Sequence, residues 1–137
     1  MATWEDVSRI AAALPEAVES TGRDGQVGWS VRGKGFVWER PLRPKDLAAL
    51  GDAAPDGPIL CVRTPGVGAK EELVADDPAV YFTTPHFNGY PAVLMRIGDL
   101  ARLDRAELRD LIVDAWLTRA QKRVAKAWLA EHEPAAD

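Results

Sequence analysis

With 137 residues, 47% of them apolar and 28% charged, the chain has the length and composition of one globular domain able to bury a core. Its net charge of −4 argues against a protein that coats nucleic acid indiscriminately, and no apolar run approaches the ~18–20 residues that span a bilayer. One cysteine, Cys61, and two distant histidines, His86 and His132, exclude an internal disulfide and any Cys/His metal motif.

Thr3 and Asp6 form a near capping box ahead of Trp4, Val7, Ile10, Ala11 and Leu14, so a helix is predicted up to Pro15. Glu5 and Asp6 stand where a signal peptide would carry cations. The helix is therefore read as part of the mature protein, and the location as cytoplasmic, in keeping with a lone thiol. Residues 16–26 are polar and read as a connection. Val27, Trp29 and Val31 alternate with small or polar residues, the period of a half-buried strand. Arg32-Gly33-Lys34-Gly35 supplies a turn, and Phe36 and Trp38 resume the alternation in a returning strand.

Pro44 opens a short helix through Leu47 and Leu50, ended by Gly51. Ile59–Arg63 reads as a buried strand closed by Pro65 and Gly66, with Cys61 inside it as a small, unpaired hydrophobe. A second short helix is expected over about 69–74. Strands follow at AVYFTT (79–84) and AVLMRI (92–97), with Asn88-Gly89 as the hairpin turn between them. Asp104 and Glu107 start a last helix that buries Leu108, Leu111, Ile112, Ala115 and Trp116 on one face.

Beyond Leu117 the apolar positions move round to Ala120, Val124, Ala127 and Trp128, while the first stripe continues into Arg119, Arg123 and Lys126. Either the chain turns near 118–121 or the second half packs on something else. No crossover helix links each pair of strands, so a mostly antiparallel sheet fits better than a doubly wound parallel one. The predicted architecture is α+β: a single domain over 1–133, a mostly antiparallel sheet of about five strands, and terminal helices packed on one face. Residues 134–137 read as a loose tail.

The stretch FTTPHFNGYPAVL at 82–94 invites an enzymatic reading, with His86 as general acid or base and Tyr90 as a second proton carrier. It lacks a third group, and a hairpin clasped by Phe87 and Tyr90 explains the same residues. GVGAKEE near residue 66 lacks the spacing of a P-loop. The acidic run Glu71, Glu72, Asp76 and Asp77 reads as a solvated helix face. No enzyme, metal or cofactor is expected.

Charge is distributed unevenly. Arg32, Lys34, Arg40, Arg43 and Lys45 lie close together with a single acid, Glu39, among them at 29–45; Arg119, Lys122, Arg123 and Lys126 lie at 115–130 with none. These are basic islands in an otherwise acidic chain.

Three segments, VGWSVRGKGFVWERPLR, KEELVADDPAVYFTTPHFNGYPAVLMRI and LDRAELRDLIVDAW followed by RAQKR, closely resemble the MmcQ/YjbR family of small bacterial proteins over about residues 4–126. The resemblance implies an α+β fold and a DNA-binding label that rests on a double-wing arrangement of hairpins, which is analogy of fold. It brings no catalytic motif. Under it, Arg32 and Lys34 would sit on one wing and His86, Asn88 and Tyr90 on the second. Arg119, Lys122, Arg123 and Lys126 would touch phosphates. The alternative is a protein-interaction or small-ligand module, dimeric if Trp128 cannot reach the monomer's core. The expected partners are thus DNA, or else a protein or a second copy, with no membrane.

Overall fold

Six strands form one antiparallel sheet: β1 (Ala17–Thr21), β2 (Val27–Val31), β3 (Lys34–Arg40), β4 (Ile59–Arg63), β5 (Tyr81–Phe82) and β6 (Ala92–Arg96), in the spatial order β1-β2-β3-β4-β6-β5. The structure is a computed structural model that describes residues 2–22, 25–40, 44–51, 59–87 and 89–132. The expected tail, Arg43 and Asn88 lie outside the described residues, and of His86 only the backbone is described.

Register explains the core. Glu39, Leu60, Met95 and Tyr81 form one cross-strand row, and Val37, Val62 and Val93 another, on the face that carries the main core. Trp38, Cys61, Leu94 and Phe82 form the alternate row and face the opposite side, where Ile59, Phe87 and Ala92 complete a smaller cluster. Both faces of β4 are buried, which is why ILCV reads as an unbroken apolar run.

Helix α1 (Trp4–Ala13) and helix α4 (Arg105–Leu117) cover the main face. Each begins with a capping box, Thr3 with Asp6 and Asp104 with Glu107, as the sequence predicts. Asp6 is buried yet well supplied: its carboxylate accepts from the Thr3 N–H at 2.9 Å and lies 3.5 Å from Arg105. Trp116 is fully buried, and its indole N–H donates to the Pro15 carbonyl at 3.0 Å. Helix α2 (Pro44–Leu50) lies beside a 3-10 turn over Pro85–Phe87, and helix α3 (Val67–Asp76) packs on β5 and β6. Among the described residues no helix is long and apolar enough to cross a membrane.

The chain does turn after α4. Thr118 caps that helix, and helix α5 (Lys122–His132) begins after a break at 118–121. Ala120, Val124 and Trp128 return to the core, with the Trp128 ring 5.4 Å from Trp116, whereas Ala127 stays exposed.

Three expectations need correction. Residues 17–21 are not a connection but an edge strand, paired in register with β2 from Ala17↔Val31 to Thr21↔Val27. Their side chains are almost all exposed, so no apolar alternation marks them. Next, Phe36 and Trp38 do not share a face. Trp29 pairs with Val37 and Ser30 with Gly35, leaving Phe36 as an extra residue in a bulge that turns it into the main core. Finally, AVYFTT forms a strand only at Tyr81–Phe82, and the chain then leaves the sheet for the 3-10 turn.

Candidate nucleic-acid interface

The β2–β3 hairpin turns on two residues, Arg32 at φ 54° and Gly33 at φ 81°, with Val31 and Lys34 paired across it. Two consecutive positive φ values give the type I′ turn whose twist matches that of the strands. Arg32 occupies a conformation unfavourable for a side chain, and both it and Lys34 are exposed at the tip.

The same end of the sheet gathers residues from distant segments. Thr64, just past β4, donates its N–H to the Pro91 carbonyl at 2.9 Å. Arg63 closes β4 beside it. Arg119, in the break between α4 and α5, donates Nε–H to the Gly35 carbonyl at 3.2 Å, a bond between residues 84 positions apart. This bond ties the second basic island to the base of the hairpin that carries the first. Burial, then the positive charge of Arg63, lowers the Arg119 pKa below the ordinary guanidinium value, against an opposing pull from Tyr90. Two guanidiniums thus lie close enough to repel each other, and the buried Nε of Arg63 has no hydrogen-bond partner among the described residues.

Tyr90 completes this end. The Arg63 guanidinium lies 5.2 Å from its ring centroid, and the buried Phe87 ring forms a T-shaped pair with it at 5.7 Å. The Tyr90 N–H donates to the Phe87 carbonyl at 2.9 Å, closing a turn in which Gly89 has φ 77°. A nine-residue excursion, rather than a tight two-residue turn, joins β5 to β6, and the expected Asn88-Gly89 turn falls partly outside the described residues. Lys70 of α3, itself buried, fastens that excursion: its Nζ donates to the Phe87 carbonyl at 2.5 Å and the Tyr90 carbonyl at 2.9 Å.

Of the predicted site residues, Arg32, Lys34, Tyr90 and Arg119 converge on this end. Lys122, Arg123 and Lys126 are exposed on α5, which begins three residues after Arg119. The placement of Asn88 and of the His86 side chain lies outside the described residues. Arg63 and Lys70 were missed. Arg63 carried a faint signal, as the charged residue ending an apolar strand; Lys70 carried none, being one cation among the acids of α3.

An acidic surface bounds the cationic one. A hollow of about 380 Å³ between α3 and α4 has Arg63 at its edge and Glu72, Asp76, Glu107, Asp110 and Asp114 around it. Burial, then the charge of Asp110, raises the Asp114 pKa. A polyanion at the hairpin end would be turned away from this side. Among the described residues no three His, Cys, Asp or Glu side chains gather so as to hold a metal ion.

Comparison with known proteins fits this geometry to a family. An uncharacterized protein of Mycobacterium bovis and one of Mycobacterium tuberculosis are each 48% identical to the chain over 133 residues, covering 95% of it and 98% of their own length. The crystal structure of a Deinococcus radiodurans protein with a DUF419 domain superposes with a TM-score of 0.63 at 18% identity, covering 96% of this chain and 88% of that one, which establishes the shared fold. The YjbR family model matches residues 12–118, from the end of α1 to the cap of α4, and the chain belongs to the YjbR family.

Proposed function

We propose that the protein binds nucleic acid weakly, through phosphate contacts made by the hairpin end of the sheet and the start of α5. The observation that carries this reading is the Arg119–Gly35 hydrogen bond, because it brings Arg119 of one basic island beside the hairpin that bears Arg32 and Lys34 of the other. Scattered cations on a body of charge −4 would not hold a polyanion; gathered ones can. The competing interaction-module reading loses its motive, as Trp128 packs on Trp116 and stacks on His132 at 4.2 Å within the chain.

Fluorescence anisotropy with labelled oligonucleotides tests the proposal. At physiological salt the dissociation constant is expected at ~10⁻⁴–10⁻⁶ M, the range of non-specific phosphate contacts. Lys122→Gln with Arg123→Gln should weaken binding about equally for every sequence and flatten its salt dependence by roughly two phosphate contacts. Absence of binding at low salt, where the attraction is strongest, would refute it.

A further inference from the structure

Tyr90 stands out among the aromatic side chains. It is 38% exposed, while Trp29, Trp116, Phe36, Phe87 and Tyr81 are buried. Exposure alone would be unremarkable; its fixation is not. The ring is held by Arg63 over it and by a T-shaped contact with Phe87, and its backbone is bonded on both sides, by its N–H to Phe87 and its carbonyl to Lys70. A ring already immobilised loses little conformational entropy when a ligand stacks on it. Arg119, bonded to the Gly35 carbonyl at the base of the adjoining hairpin, lies at the same end of the sheet as Arg63 and Tyr90.

We infer that this end of the protein is a single-strand site, in which Tyr90, covered on one face by the Arg63 guanidinium, stacks an unpaired base while Arg119 takes a neighbouring phosphate. The inference rests on the nucleic-acid reading above and narrows it. Inside a duplex both faces of every base are already covered by neighbours, so a rim tyrosine has nothing to stack on; a single strand can turn a base outward. Stacking of this kind tolerates any sequence, since every base has a π-face. Cations alone would favour the duplex, with its higher charge density, so a preference for the single strand is diagnostic of the ring.

The test uses the full chain with two labelled oligonucleotides of mixed sequence, a single strand and a duplex closed by hairpin loops so that no blunt end offers a stack. The wild type should prefer the single strand by at least about fivefold, the lower bound for one stacked base. Tyr90→Phe should keep the preference. Tyr90→Leu should abolish it by lowering single-strand affinity about five- to a hundredfold, with an unaltered urea midpoint showing that the exposed position is not needed for folding. Arg119→Gln should weaken both ligands. Equal or tighter duplex binding, or an unchanged preference in Tyr90→Leu, overturns the single-strand inference while leaving the nucleic-acid reading intact; no binding to either ligand overturns both.

Discussion

Replacing Lys70 by methionine would separate the pin of the 83–91 excursion from its surroundings. The Lys70 side chain is 4% exposed, and its ammonium spans the Phe87 and Tyr90 carbonyls. Hydrogen bonds to a charged group contribute about 1.5–3 kcal/mol each, so two amount to roughly 3–6 kcal/mol. Burial opposes this: it lowers the Lys70 pKa, and the pulls of Cys61 and Glu71 only partly restore it. Methionine refills most of the volume without bringing a charge into the interior. The net expectation for Lys70→Met is a loss of about 2–3 kcal/mol, a substantial part of a typical 5–15 kcal/mol stability. Urea unfolding followed by tryptophan fluorescence measures it.

Hydrogen exchange localises the same effect, since the amides of Thr64, Tyr90 and Ala92 should lose protection first. The pH dependence has a fixed sign. A lysine whose folded pKa lies below its unfolded value of ~10.4 makes the native state more stable as pH rises from the folded value to the unfolded one. The stability gap between wild type and Lys70→Met should therefore widen toward pH 10. A variant with unchanged midpoint and exchange, or a gap that narrows with pH, would refute this account of Lys70.

Burial pushes the Cys61 thiol up to about 12, against Arg40, Lys70 and Arg63, so its contribution is complete below the unfolded value near 9 and lost as pH rises through that window. Cys61→Ala should escape a loss of about 1.4 kcal/mol per pH unit between 9 and 12, and parallel stability profiles for the two proteins would contradict it. For Asp6, burial alone would raise the carboxyl, but the Thr3 hydrogen bonds and the charges of Arg105 and Arg9 outweigh it and hold the pKa down. Stability from Asp6 is thus present above pH ~4 and lost on acidification, and Asp6→Asn should show a flatter acid limb in urea midpoints measured from pH 6 to 2.

What could be read from the residues was whatever buries a periodic face. The capping boxes, the β2–β3 hairpin, the doubly buried β4 and the break after α4 all left such marks; the break was legible because the apolar stripe moved from Trp116 to Val124 and Trp128. Strand β1 left none, since backbone pairing with β2 makes it a strand while its side chains face water. The bulge at Phe36 was hidden because an inserted residue changes the period without changing composition. The candidate site was half legible. Its cations were visible as islands, but their meeting depends on Arg119 reaching Gly35, and the parts played by Arg63 and Lys70 depend on what the fold brings beside them.

The Trp116–Pro15 hydrogen bond joins residues 101 positions apart, and the Ala2 N–H likewise bonds to the Leu103 carbonyl at 2.9 Å. The N-terminal helix is thus made first and gains its partner nearly last. At ~5–20 residues per second, ribosomal synthesis leaves about 5–20 s between Pro15 and Trp116, during which Val62, Val93 and Met95 emerge on a sheet face that α4 does not yet cover. The nascent chain is at its stickiest late in that interval, after β6 has been made and before α4 completes the cover that α1 begins. A transcript truncated before Trp116 would accordingly yield a product for chaperones and proteases rather than a smaller working domain.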